Sequence, residues 1–336
     1  MEERHSGGVE MTNHNWLQRP EWSWNRTEGD PTYVHHWVRP LEEMDEVPDV
    51  ILYGAPISRS SISASGASLY PTEFRRMWKG FATYNLDEAL DLTSCKVADA
   101  GDIAMHTTDI LLSHERIQQT TATLVTDYPQ VVTCMIGGDH SITACSVRGI
   151  KSVYKDETIG IIQLDTHLDV RDPAELGPAN GTPIRQLIDG GIVKGEHVTN
   201  IGLHGYFNAK PLIDYAREHN IQMVTLKEAR KQGIVKTIQE ALNSLASRVD
   251  RVYVTVDMDV LDISVAPGVP ASTPGGMTAT ELFDSLLEIG KHQAVKHIDF
   301  VCLDPSKDSN VAETVKTGVY TWLQFITGQV CKAIGK

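Results

Sequence analysis

Three short segments of this 336-residue chain carry acids and imidazoles at spacings that suit metal chemistry. Gly137-Gly138-Asp139-His140-Ser141 follows the apolar run Val131–Ile136. Asp165-Thr166-His167-Leu168-Asp169 follows Ile159–Leu164, and Asp257-Met258-Asp259-Val260-Leu261-Asp262 follows Val252–Val256. A buried strand does not ordinarily run into several carboxylates, because unpaired charge is costly to take out of water. Residues two apart on an extended chain point the same way, so Asp257 pairs with Asp259, and Asp165, His167 and Asp169 share a face. The Gly137-Gly138 pair lets its loop come close before presenting His140. Four carboxylates and two imidazoles then converge on one spot. Two divalent cations would neutralise those acids, and oxygen ligands with some imidazole suit Mn2+ first, with Ni2+, Co2+ and Zn2+ as alternatives. Each piece alone has a plainer reading. Asp-x-Asp is often a solvated turn or a helix cap, and Gly-Gly-Asp-His is as weak. Asp-x-His-x-Asp directly after a buried strand says more, and all three in order leave the plainer reading little room.

The elements that must position these residues read as alternating strands and helices. Apolar runs at Val50–Tyr53, Val198–Ile201, Gln222–Thr225 and His297–Val301 join the three above. Amphipathic stretches at Asp109–Val125, Pro211–Glu218, Val235–Val249 and Thr280–Ile289 lie between them. This alternation predicts βαβ units and a mostly parallel sheet covered on both faces, with ligands at the carboxyl ends of its strands. One domain over 46–336, preceded by an arm over 1–45, is the expected organisation. The arm holds four of the six tryptophans (Trp16, Trp22, Trp24, Trp37) and prolines at 20, 31 and 40. Its aromatics either pack on the domain surface or cross onto a neighbouring subunit. Asn25-Arg26-Thr27 matches a glycosylation acceptor, which means nothing without secretion.

Composition narrows the partners. Lys plus Arg total 30 against 44 Asp plus Glu, a net charge of −14. Such a surface repels phosphate backbones, so neither nucleic acid nor an anionic membrane is expected to bind. No run approaches the roughly 20 apolar residues that a membrane helix needs. The start MEERHSGGVE lacks the layout of a secretory signal. Five cysteines without a C-x-x-C pair argue against a disulfide framework or a cysteine zinc site. A cytoplasmic location is expected.

The three motifs, in this order, resemble those of the ureohydrolase family of arginase, agmatinase, guanidinobutyrase and formimidoylglutamase. The likeness spans about residues 50–330 and includes Ala266-Pro267-Gly268 followed by Pro274-Gly275-Gly276. It implies a three-layer α/β/α, arginase-like fold with a dinuclear site, usually manganese. By motif position, His140, Asp165, Asp169 and Asp257 resemble one metal's ligands. His167, Asp165, Asp257 and Asp259 resemble the other's, so that Asp165 and Asp257 bridge. The implied reaction is attack of a metal-activated water on a guanidino or amidino carbon, with expulsion of a protonated amine. Asp169 is the implied proton relay, with His167 beside it. The resemblance further implies assembly into trimers or hexamers of like or unlike chains; in a heteromer the complete ligand set nominates this chain as the metal-bearing half, with a subunit lacking its own activity as the remaining alternative.

Pro56–Ser68 and Gly177–Arg185 look most like the formimidoylglutamase type found in Bacillus. Arg171 and Arg185 are then candidates for a substrate carboxylate, with surface ion pairs as the alternative. Asn180 stands where agmatinases and arginases have a histidine, as in the formimidoylglutamase-like enzymes. Within His297–Asp304, Cys302 occupies the place of the glutamate that pairs with the substrate's cationic group. A thiol cannot replace that acid, and without an obvious histidine partner it reads as a small pocket wall rather than a nucleophile. The expected substrate is therefore a guanidine outside the amino-acid set, or a biguanide such as metformin. Formimidoylglutamate, or an agmatinase-type substrate, is the alternative.

Overall fold

A computed structural model describes residues 16–24 and 32–336. Eight parallel strands form its centre: β1 Val50–Ala55, β2 Val97–Ile103, β3 Val132–Gly137, β4 Ile159–Leu164, β5 Val198–Leu203, β6 Gln222–Thr225, β7 Arg251–Asp257 and β8 Val295–Val301. Their order across the sheet is β2-β1-β3-β8-β7-β4-β5-β6. The apolar strands are buried on both sides, as helix-covered parallel strands must be. On β4 the side chains alternate, with Ile159 and Ile161 entering one apolar cluster and Ile162 and Leu164 the other.

The helices lie on both faces. One layer holds α1 Tyr70–Met77, α6 Leu226–Gln232, α7 Ile234–Ala246, α8 Ala279–Lys291 and α9 Glu313–Ile334, with α9 packed on α8 and α1. The other holds α2 Ile110–Asp127, α3 Ser141–Val153, α4 Pro183–Asp189 and α5 Lys210–Glu218, with α3 packed on α2 and α4. This is the expected three-layer α/β/α architecture. Local chemistry sets its boundaries: Asp109 caps α2 by accepting from Leu112 N, and Thr278 with Glu281 forms a capping box on α8.

The described part of the arm lies on its own domain. Leu17–Gln18 adds antiparallel to the edge of β2, Trp16 stacks on Arg116 and donates to Gln119, and Trp24 donates to Arg75 O. Asn25-Arg26-Thr27 lies outside the described residues. Among the described residues no helix is long and apolar enough to cross a membrane.

Candidate metal centre

Four neighbouring strands, β3, β8, β7 and β4, end side by side, and the segments after them meet. Adjacent strands run about 4.8 Å apart, so residues just past their carboxyl ends reach one another without long loops. The acids do not converge by sharing the face of an extended strand, as spacing suggested. Asp165 and Asp257 each turn the chain instead. Asp165 Oδ1 accepts from His167 N at 2.6 Å, and Asp257 Oδ1 accepts from Asp259 N at 2.9 Å. These side-chain turns fold both motifs back over the strand ends. Gly138 serves the third, because a Cβ there would meet Ile57 O at 1.9 Å.

His140, Asp165, Asp169 and Asp257 offer ligand atoms within 4.8 Å of one another, and Asp165, His167 and Asp259 form a second such group. Asp165 belongs to both. Of these two groups, Asp257 falls in the first. His140 Nδ1 is buried and faces Asp169 at 2.7 Å, Asp257 at 3.1 Å and Asp165 at 3.4 Å. His167 Nδ1 lies 2.8 Å from Asp259 Oδ2, and its side chain, 24% exposed, opens the cluster to solvent.

Electrostatics show why this cluster suits cations. Burial and the neighbouring acids push Asp165 up well above the carboxylate range, and Asp257 up to about 6. Burial acts to strip charge from His140, but Asp169 and Asp257 outweigh it and hold its pKa well up. Burial likewise opposes charge on Asp259, and His167 overcomes it to hold that acid low. Buried acids around two imidazoles, with three carboxylates crowded onto His140 Nδ1, fit a pair of divalent ions.

Supporting residues escaped the motif reading. Gln163 donates to Asp165 Oδ2 at 2.6 Å, and His140 Nε2 meets Thr255 Oγ1 at 2.9 Å. Behind them, Thr143 and Tyr253 both donate to the buried Asp299 at 2.7 Å. The available signal was a polar residue inside an apolar strand two positions before an acid. Asn208 clamps the second motif by accepting from Leu168 N and donating to Thr166 O.

Asp139 and Asp262 stand beside the ligands but serve loops. Asp139, pushed up to about 6 by burial, accepts from Ser60 N and Ser141 N, and Asp262 accepts from Gly275 N and Ser264 N.

The candidate substrate residues divide. Asn180 accepts from Ile62 N and so fastens loop 56–68 to loop 177–182. Arg171 is exposed, its N–H donates to Gly181 O at 3.0 Å, and its guanidinium makes no hydrogen bond or ion pair among the described residues. Arg185 takes the ion-pair alternative. Its guanidinium joins Asp172 at 3.0 Å and Asp189 at 3.1 Å and lies 4.8 Å from the Tyr215 ring, so its charge is already engaged in an ion-pair cluster. Cys302, directly after β8, is buried with φ +66°, and burial with Asp257 and Asp259 pushes its thiol well up.

Residues 48–327 match the model of the Arginase family. The chain belongs to the arginase family. It is therefore a hydrolase acting on amidino or guanidino C–N bonds. It is 41% identical over 284 residues to a formimidoylglutamase of Halalkalibacterium halodurans, covering 84% of this chain and 88% of that protein. A Bacillus subtilis formimidoylglutamase is 38% identical over 257 residues, covering 76% and 80%. The crystal structure of the Bacillus subtilis protein superposes with a TM-score of 0.85, 34% identity and coverage of 94% and 97%. A Trypanosoma cruzi formiminoglutamase solved with Mn2+ shares the fold, with a TM-score of 0.80 at 24% identity over 88% and 98% of the chains. These matches lend nickel no support. They also favour the formimidoylglutamase alternative over the metformin-like substrate expected from Cys302.

Proposed function

We propose that this arginase-family chain is a two-metal amidine hydrolase of the formimidoylglutamase type, cleaving N-formimidoylglutamate to glutamate and formamide. The observation that carries it is the gathered ligand set, in a chain 41% identical over 84% of its length to a formimidoylglutamase. His140, Asp165, His167, Asp169, Asp257 and Asp259 would hold the ions, Mn2+ suiting most of these donors. Bound there, the pair would make water nucleophilic near neutral pH and draw charge from the amidine carbon. Asp169 faces His140 with Oδ2, leaving Oδ1 to take the proton of the attacking water and deliver it to the departing nitrogen. His167 and the Phe207 ring, 6.3 Å apart and edge to face, wall the open side. Arg171, free of other ion pairs, supplies the cation for a substrate carboxylate. Asn180 acts by pinning loop 56–68 over the site.

Cys302 favours a second reading. A buried protonated thiol gives a guanidinium no counter-charge, so a compact or delocalised guanidine or biguanide would lose less here than arginine or agmatine. One panel separates the two. Metal-loaded protein is offered formimidoylglutamate, guanidines, biguanides, arginine and agmatine, with formamide and urea scored separately. Efficient formamide release supports the first reading. Turnover confined to guanidines or biguanides overturns it and establishes the second, in which Cys302→Glu should move preference toward amino-acid-derived guanidines.

A further inference from the structure

A cavity of about 370 Å³ opens between α2, α3, α4 and the loop after Asp172, and none of the six metal-ligand candidates lines it. That volume lies at the small end of the range for small-molecule sites. Buried His114 lines it, and burial, with Arg148, pulls that imidazole to a pKa of about 4, so it is neutral at pH 7. Two charges of opposite sign line the same cavity without answering each other. Arg148 on α3 is half-buried and donates to the neutral Gln186 Oε1 at 2.8 Å, with no carboxylate partner among the described residues. Glu115 on α2 is exposed and accepts from Gln119 Nε2 at 3.0 Å, with no cationic partner among the described residues. A half-buried guanidinium bonded only to an amide lacks the stronger charge-assisted pair that a carboxylate would give it. Leu111, Pro173 and Pro178 add an apolar wall.

We propose that this cavity is a second ligand site, for a small α-amino acid whose carboxylate pairs with Arg148 and whose ammonium group pairs with Glu115. A plain anion would meet Glu115 and a plain cation would meet Arg148, so a zwitterion alone answers both. The apolar wall takes an aliphatic side chain. The site lies behind the two loops that Asn180 fastens together. His114 Nε2 meets Ser60 Oγ of loop 56–68 at 3.2 Å and Ser141 Oγ, next to His140, at 2.9 Å. Gln186 donates to Thr182 Oγ1, which itself donates to the carbonyls of Gly177 and Ala179. The proposal is indifferent to which amidine is hydrolysed and to whether the metals are bound.

Calorimetry on metal-loaded full-length protein tests this with L-leucine as the probe, since glutamate is the product proposed for the metal centre. Leucine should bind at one site per chain. 3-Methylbutylamine, which is leucine without its carboxylate, should bind about tenfold more weakly or worse, and so should leucine to Arg148→Gln. 4-Methylpentanoate, which is leucine without its amine, should lose about threefold, because Glu115 is exposed. Asp165→Asn, which disturbs the metals, should leave leucine binding unchanged. Absence of leucine binding, an affinity untouched by Arg148→Gln, or binding lost with Asp165→Asn overturns the proposal, the last by placing leucine at the metal centre. Should Arg148→Gln not fold, the exposed Glu115→Gln decides: it should bind leucine and 4-methylpentanoate equally, and a preference for leucine that persists there refutes the site.

Discussion

Asp169 and Cys302 lie far apart in the chain but share the left-handed backbone conformation, φ +51° and +66°, and both place a ligand atom close to His140. Two of the five non-glycine residues with positive φ among the described residues thus sit in one small cluster. Such backbones are costly, and concentration at one point marks where the fold holds side chains for chemistry.

His140 is held from behind, through Thr255, by the buried Asp299 group. Thr255→Val removes the partner of His140 Nε2 and should weaken metal binding about 10- to 100-fold. Thr255→Ser should restore most of it. Competition with a chelating dye reads the affinity directly, and equal affinities for Val and Thr would remove Thr255 from the site's support.

Arg171 and Arg185 should behave oppositely. Arg171→Ala is expected to raise KM for a carboxylate-bearing substrate with little change in kcat or stability. Arg185→Ala breaks contacts to Asp172, Asp189 and Tyr215 and should lower stability by about 1 kcal/mol while leaving KM alone. Steady-state kinetics and urea midpoints distinguish them, and a KM rise confined to Arg185→Ala would reverse the assignment.

Gly138→Ala drives a Cβ to 1.9 Å from Ile57 O and 2.8 Å from Ala55 O. Neither atom is a flexible side-chain end. The expected cost exceeds about 2 kcal/mol, with loop 56–68 displaced and KM raised. A variant with the wild-type urea midpoint would show that the loop stands farther from β3 than described.

His114 is buried beside Ser60 Oγ and Ser141 Oγ, and burial, with Arg148, pulls its pKa from 6.5 to about 4. Between those values the unfolded chain binds the extra proton. Its contribution is therefore complete above pH 6.5 and is lost as pH falls toward 4, by about 2 kcal/mol from pH 7 to 5. His114→Gln should flatten the pH dependence of the urea midpoint by that amount. An unchanged slope would assign acid sensitivity to other groups.

Much of this was legible in the sequence because strands buried on both faces cannot hide their character. β4 and β6 match their expected bounds residue for residue, and all six metal-ligand candidates gather. The reason for their gathering was not legible, since side-chain turns at Asp165 and Asp257 replace the extended geometry. β2 escaped notice because Asp99, Gly101 and Asp102 interrupt its apolar pattern. Those acids are paired by Arg75, which lies on α1 and is invisible as a partner in sequence. Helix α9 is buried around most of its circumference by α8, α1 and the sheet, so no amphipathic stripe announced it. The ion pairs of Arg185 were not legible because its partners, Asp172 and Asp189, flank it across a loop and one helical turn.

Metal content measured alongside turnover tests the dinuclear centre most directly. Fully active wild-type protein should carry two divalent ions per chain, as a two-metal site requires. Asp165→Asn alters the one residue common to both ligand groups and should leave one ion or none, with turnover abolished. Full activity with one ion or none per chain, or Asp165→Asn keeping both ions and wild-type turnover, would contradict it.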